Sequence, residues 1–485
     1  MKNILIAIRS IFKKGRHNVM KIVSLGIGLA VGLVLIAKVY FEQSYDDFYP
    51  DRDRVYQVWA KYQQNGGELK DYPQTSGGIA PTMQQQIPEI ETVTRYTSFG
   101  DWTFTMTDTK MKYSGRCIIA DSCFFDILPR PMLIGNAKEV LSTPMYVLIS
   151  SRIAKNIGGD VIGKNFTVDN SPGRTMTIGG VFEEVPENSH SRYDVIVSMA
   201  SAGRFMWEGS PTNMLGNDRY ISYVKLHKGV NPLALEEQVR TFVNSYFPPE
   251  EQQKVGLSID FSFHKLDNLH KELPQVKRMT WILSLLAFAL IFTAVMNYIL
   301  IVISSIVNRS KEVAVHKCYG ASENNIHGMM FGEALVHIVL SLILALLLIL
   351  AFRGTVEELL ATSLDSLLLS NGSLVLLGIC ILVFFVSGFM PGSLYARIPV
   401  ASAFRNYREN KRIWKKALLL VQFVATGFLV TMLVFVARQY TFMVNDRPGY
   451  AYENLAYCGL AGVDSTSRAK ILDEVMRLPG VAAAT

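Results

Sequence analysis

The sequence predicts an integral membrane α-helical protein with five transmembrane helices and a large α+β domain between helices 1 and 2. Three observations predict it. Five apolar runs each approach the ~20 helical residues that cross a hydrocarbon core of ~30 Å. Between the first two runs, residues 42–279 read as ordinary soluble protein with alternating, β-branched stretches. Basic residues gather beside the apolar runs, where they set membrane orientation.

Residues 1–21 carry Lys2, Arg9, Lys13, Lys14, Arg16 and Lys21 and no acid, and Ile4, Leu5, Ile8, Ile11 and Phe12 share one helical face. This predicts an amphipathic helix on the inner leaflet. The first span is 22–41. Lys38, Tyr40 and Phe41 close it where a cleavage site would need small residues, so it reads as an uncleaved anchor. In 42–279, strands are expected at Val55–Trp59, Trp102–Met106, Tyr146–Ile149, Thr175–Val181, Tyr193–Val197 and Ile221–Lys225. Helices are expected at Ile79–Gln86 and Pro232–Tyr246. Spans follow at 280–304, 334–352, 373–392 and 417–437. Loop 305–333 holds Arg309, Lys311 and Lys317. Linker 393–416 holds Arg397, Arg405, Arg408, Lys411, Arg412, Lys415 and Lys416. Loop 353–372 sets one Arg against Glu357, Glu358 and Asp365. Positive-inside counting then puts 1–21, 305–333 and 393–416 inside, and 42–279, 353–372 and 438–485 outside.

Much chemistry is excluded. The net charge of +7 sits beside spans and is not a nucleic-acid signal. The five cysteines include no CxxC; Cys117 and Cys123 fall on the outer side, as a disulfide or as two free thiols. GGDVIGKN (Gly158–Asn165) has phosphate-loop spacing, but Asn165 stands where Ser or Thr would take magnesium and a helix-like stretch precedes it, so it reads as a turn into a strand at Asn165–Val168. Neither GxSxG nor HExxH occurs. His190, in ENSHSRYD, reads as a polar turn residue. The chain is therefore expected to be non-catalytic, with no metal or cofactor residues.

The polar stretch NRSKEVAVHKCYGAS (Asn308–Ser322), pinned between spans, has the form of a docking helix or of a solvated connector. Lys311, Glu312 and Lys317 offer charge, and Val313, Ala314 and Tyr319 an apolar patch. Gly320 can end the helix, and Ser322 can cap the next. Glu333, at the inner edge of the third span, either pairs with His337 one turn on or sits as a carboxylate at headgroup level. Asn297 and Gln422, inside spans, are expected to make interhelical hydrogen bonds.

The end of the chain repeats its beginning. IFKKGRHNVMK, a span, FEQSYDDFYPDRDRVYQV and IPEIETVTR are echoed by YRENKRIWKKA, a span, ARQYTFMVNDRPGYAYENLAYC and LPGVAAAT. Residues 438–485 thus read as the start of a second outer domain, cut short.

Several phrases together resemble the permease subunits of MacB/FtsX-type ABC transporters, in the duplicated form common in Bacteroidetes-like genomes. They are ADSCFFDILPRPMLIGN (Ala120–Asn136), SRIAKNIGGDVIGKNFTV (Ser151–Val168), GGVFEEVPENSHSRYDVIVS (Gly179–Ser198), the Asn308–Ser322 stretch and SGFMPGSLYARIPVASAF (Ser387–Phe404). The pair Val315-His316 departs from the family's usual residues, and a second outer domain with three further spans is missing. The resemblance implies a periplasmic domain of MacB-core type at 42–279 in a bacterial inner membrane. It implies a coupling helix using Arg309, Lys311, Glu312, Val313, Ala314, His316, Lys317, Tyr319, Gly320, Ala321 and Ser322. The partner it implies is a separate cytoplasmic ATPase of MacB, LolD or FtsE type, with membrane lipid and a periplasmic adaptor or outer-membrane channel as further partners and dimerisation open. Its activity would be mechanotransmission, for export of antimicrobial peptides or drugs or for lipoprotein release. Two alternatives stand beside it: an FtsX-like relay that switches a cell-wall hydrolase, and a membrane-anchored periplasmic enzyme or sensor.

Overall fold

The computed structural model describes residues 17–168, 173–369, 372–396, 399–401, 413–445, 454–459 and 465–484. Most of the expected surface helix at 1–21, and Arg397, Arg405, Arg408, Lys411 and Arg412, lie outside the described residues. Two units divide the chain: Met1–Gln43 with Leu273–Leu455, and Ser44–Glu272 with Ala456–Thr485.

In the first unit, five helices among the described residues are long and apolar enough to cross a membrane: Asn18–Gln43, Pro274–Ser304, Glu323–Ala351, Ser373–Ala396 and Leu419–Asn445. The first packs on the second and third through small residues. A Cβ on Gly28 would collide with Ala294 and one on Gly32 with Ile291, so only glycine lets these helices approach so closely. Gly388 and Gly392 of the fourth helix receive Phe331 and His327 of the third in the same way, on either side of Pro391. Leu25, Leu29, Ile299, Val302, Ile326 and Ile338 belong to the shared apolar interior. The fifth helix is mostly exposed; Gln422 is buried on it.

The second unit is built on an eleven-stranded mixed sheet. Its strands are β1 (Val55–Gln64), β2 (Lys70–Tyr72), β3 (Ile90–Met106), β4 (Lys112–Ala120), β5 (Met132–Ile134), β6 (Tyr146–Ser150), β7 (Asn165–Val168), β8 (Thr175–Phe182), β9 (Val195–Ser198), β10 (Ile221–Leu226) and β11 (Leu257–Lys265). They run in the order β11-β1-β10-β3-β4-β9-β6-β8-β5, with β2 on β1 and β7 bridging β3 and β8. The β4–β9 and β6–β8 pairs are parallel. Side chains alternate along the central strands. Cys117, Ile119, Val147, Ile149, Val195 and Val197 enter one core, while Ile118, Ala120, Leu148 and Ile196 enter the other. Both faces are covered, which is why these strands read as unbroken apolar runs. A third core lies where helices Ile79–Gln86 and Glu236–Tyr246 cover β1, β10 and β11. Val239, Phe242 and Val243 recur at helical spacing on its inner side.

The GGDVIGKN segment makes the expected turn: Gly158, Gly159 and Gly163 all have positive φ, and β7 starts at Asn165. Cys117 and Cys123 are free thiols. Cys117 is packed into the sheet core, and the Cys123 thiol donates to the Val93 carbonyl at 3.0 Å, so each sulfur is held by different surroundings.

Candidate coupling site

The polar stretch folds as helix Ile306–Cys318, a connector between the second and third spans. Its end follows from sequence. Gly320 takes φ +87°, which lets its N–H reach the Lys317 carbonyl and the Ala321 N–H reach the His316 carbonyl. The Ser322 side chain then accepts from the Asn325 N–H, and Glu323 enriches the first turn of the following helix with negative charge.

The helix has two faces. Arg309 (4% exposed), Ser310, Val313 (0%) and Ala314 (1%) point inward. Lys311, Val315, His316, Cys318 and Tyr319 (89%) are exposed, with Glu312, Lys317 and Ala321 half-buried and Ser322 exposed. This corrects the expected docking patch at three places. Val313 and Ala314 are core residues of the helical unit, and Arg309 is committed to an internal ion pair.

That pair holds the site together. The Arg309 guanidinium donates from Nη1 and Nη2 to the two oxygens of Glu333, each at 2.7 Å. Planar fork-to-carboxylate pairing of this kind fixes orientation as well as distance. Glu312 lies 3.6 Å from Arg309 Nε, and the guanidinium covers the Tyr395 ring at 5.4 Å. Burial works against the Arg309 charge, but the Glu333 carboxylate outweighs it and holds the guanidinium pKa above its ordinary value. Tyr395 Oη donates to the Val302 carbonyl at 3.0 Å and lies 3.1 Å from Ser305 Oγ. Lys317 Nζ donates to the Ala396 carbonyl at 2.6 Å. One side of the connector is therefore tied to the end of the second span, the start of the third and the end of the fourth.

Glu333 is engaged by Arg309, a partner not foreseen, and His337 Nδ1 lies 3.2 Å from Tyr298 Oη. Asn297 is half-buried and makes no hydrogen bond among the described residues. Gln422 Nε2 is buried and has no hydrogen-bond partner among the described residues. Arg309 was findable: it lies one turn before Val313, on the same buried stripe. Glu333 and Tyr395 were not, since nothing in sequence links positions so far apart.

The second unit carries a polar clasp of its own. Asp46 is fully buried and accepts from Ser189 Oγ (2.7 Å), the His190 N–H (3.2 Å) and His190 Nδ1 (2.6 Å). Asn188 Nδ2 donates to the Ser44 carbonyl at 2.7 Å, and Tyr45 stacks on His270 at 3.7 Å. The clasp joins the chain entering the domain (44–46), the chain about to leave it (270) and the ENSHSRYD turn. His190 is thus a structural tie.

Two family models match. The MacB-like periplasmic core domain covers residues 20–242, and the FtsX-like permease C-terminal domain covers 284–400. The chain belongs to the MacB/FtsX-type ABC transporter permeases. Among solved structures, the permease is similar to a domain described as part of a permease protein from Porphyromonas gingivalis. The identity is 33%, over 45% of this chain and 91% of that one, with a TM-score of 0.41. It is also similar to the periplasmic region of MacB from Actinobacillus actinomycetemcomitans (16% identity, 42% and 87%, 0.30). The extracellular domain of the noncanonic ABC-type transporter YknZ from Gram-positive bacteria is a third (11%, 42% and 98%, 0.31). No functionally curated protein matches. By the two family models and its apolar helices, the permease is a membrane protein with a large periplasmic α+β domain, of a family whose members imply an ABC ATPase partner.

Proposed function

We propose that this permease transmits the work of a separate cytoplasmic ATPase to its periplasmic domain across a bacterial inner membrane. The observation that carries the reading is the Arg309–Glu333–Tyr395 lock. A helix that merely linked two spans would need no buried ion pair, whose desolvation is costly unless its geometry is good. Here the inward face is fastened to three spans, while Lys311, His316 and Tyr319 stay available to a soluble partner. A push on the exposed face reaches the spans through short, directional bonds. The second span continues in sequence into the α+β domain, whose entering and leaving segments share the Asp46 clasp. Export of a peptide, drug or lipoprotein cargo is the work such a lever would do.

The test is co-purification of the permease with candidate ATPases from its own genome, wild type against Lys311→Glu with Tyr319→Ala. Both positions are exposed, so the double variant is expected to fold and to lose the ATPase. Equal capture by both proteins, or by neither, overturns the docking reading.

A further inference from the structure

The α+β domain holds a charged cavity that coupling does not use. It measures about 230 Å³ and is lined by Arg116 of β4, Arg130, Arg152, Arg192 and the carboxylates of Glu184 and Asp194. The two acids are already engaged. Arg152 Nε lies 3.2 Å from Glu184 and its Nη2 bonds Asp194, which also accepts from the Arg116 N–H at 2.9 Å and Ser150 Oγ at 3.3 Å. Arg116, Arg130 and Arg192 have no ion pair among the described residues, so the cavity carries an excess of two positive charges.

Arg130 is the decisive group. It is 5% exposed; its Nε and Nη2 are buried without a hydrogen-bond partner among the described residues, and the neighbouring Tyr49 side chain favours its charge. Its guanidinium sits among the rings of Phe182 (5.1 Å), Phe125 (5.9 Å), Tyr193 (5.9 Å) and Phe124 (6.0 Å). Ring faces stabilise the cation but leave its N–H groups without strong acceptors. Burial accordingly pushes the Arg130 pKa down. A buried donor without an acceptor is costly, and more so when charged. An anion in the cavity would offset the Arg130 charge across a short distance, and a dianion would match the excess.

We infer that this cavity binds a phosphate monoester group, with Arg116 and Arg192 as the direct contacts and Arg130 as the buried counter-charge behind them. Guanidinium forks suit tetrahedral phosphate oxygens bidentately. The volume admits the phosphate with part of what bears it, either a soluble sugar phosphate or a lipid headgroup.

The test uses the full chain in phosphatidylcholine nanodiscs and titration calorimetry. The probes are glucose 6-phosphate and monomeric dihexanoyl phosphatidic acid; glucose and dihexanoyl phosphatidylcholine are the controls. Saturable binding of at least one probe and neither control is expected. Binding of glucose 6-phosphate identifies a soluble ester; binding of phosphatidic acid alone identifies a lipid headgroup. Arg116→Gln with Arg192→Gln, both exposed, should weaken binding about tenfold or more. Arg130→Gln should abolish it in protein whose melting transition is retained. No saturable binding of either probe, or equal binding by wild type and the Arg116/Arg192 variant, overturns the assignment.

Discussion

Arg309 is the residue on which the coupling account turns. It and Glu333 are both buried, so removing either leaves an unpaired charge. Arg309→Ala should lower stability by about 3–5 kcal/mol, as breaking a buried pair typically does. Thermal unfolding in detergent checks this. Adding Glu333→Ala should recover part of the loss, since the two effects are coupled. Cysteines give an independent check on the α+β core. Burial, with the nearby Asp121 carboxylate, pushes the Cys123 thiol up to about 11, and burial pushes Cys117 well above its ordinary value. A raised pKa means that the thiol form persists at neutral pH and reactive thiolate gains only as pH climbs toward that value. Iodoacetamide should therefore label both slowly in the native protein near neutral pH, faster as pH rises, and rapidly once it is unfolded. At this scale the sequence was legible where backbone chemistry is local. Gly320 and Ser322 mark helix ends by positive φ and by capping. The Arg309–Glu333 pair was not legible, because its partners are joined only by the fold.

The elements explain which expectations held. Strands at Val55, Tyr146, Thr175 and Ile221 begin where β-branched and aromatic runs begin, and helix Ile79–Gln86 has the expected bounds. Trp102–Met106 proves to be the end of the long β3, whose middle is broken by Gly100 at φ +74°. The connector helix was legible as a helix, but its faces were not. Val313 and Ala314 look like a docking patch in sequence because their covering, the membrane helices, is itself apolar. The clasp is the element-scale counterpart of the lock. Asp46→Ala removes the acceptor for Ser189 and His190. Leaving these donors unsatisfied should cost about 1–3 kcal/mol. Amide exchange is expected to speed up at 44–49 and 187–191 while β4, β6 and β9 stay protected; unchanged exchange at those segments would remove the clasp from the account.

At the scale of the whole molecule, hydropathy separates the apolar helices from the α+β domain, because a ~30 Å hydrocarbon core imposes a length that few soluble segments meet. The sheet order was beyond reach. β4 pairs in parallel with β9 and β6 with β8, and such pairings join distant segments with no local signature. The account makes the permease a lever, with the connector helix as its input and the periplasmic domain as its output. The most direct test is a distance between nitroxide labels at Val255→Cys, on the α+β domain, and Leu369→Cys, between the third and fourth spans. Both sites are exposed. The exposed Cys318 and Cys458 are replaced by serine, and the bound ATPase is held nucleotide-free or with a non-hydrolysable ATP analogue. The account predicts that nucleotide shifts the distance in the otherwise native chain, and that Arg309→Ala abolishes the shift while the ATPase still co-purifies. The same distance in both nucleotide states, or an undiminished shift in Arg309→Ala, would contradict it.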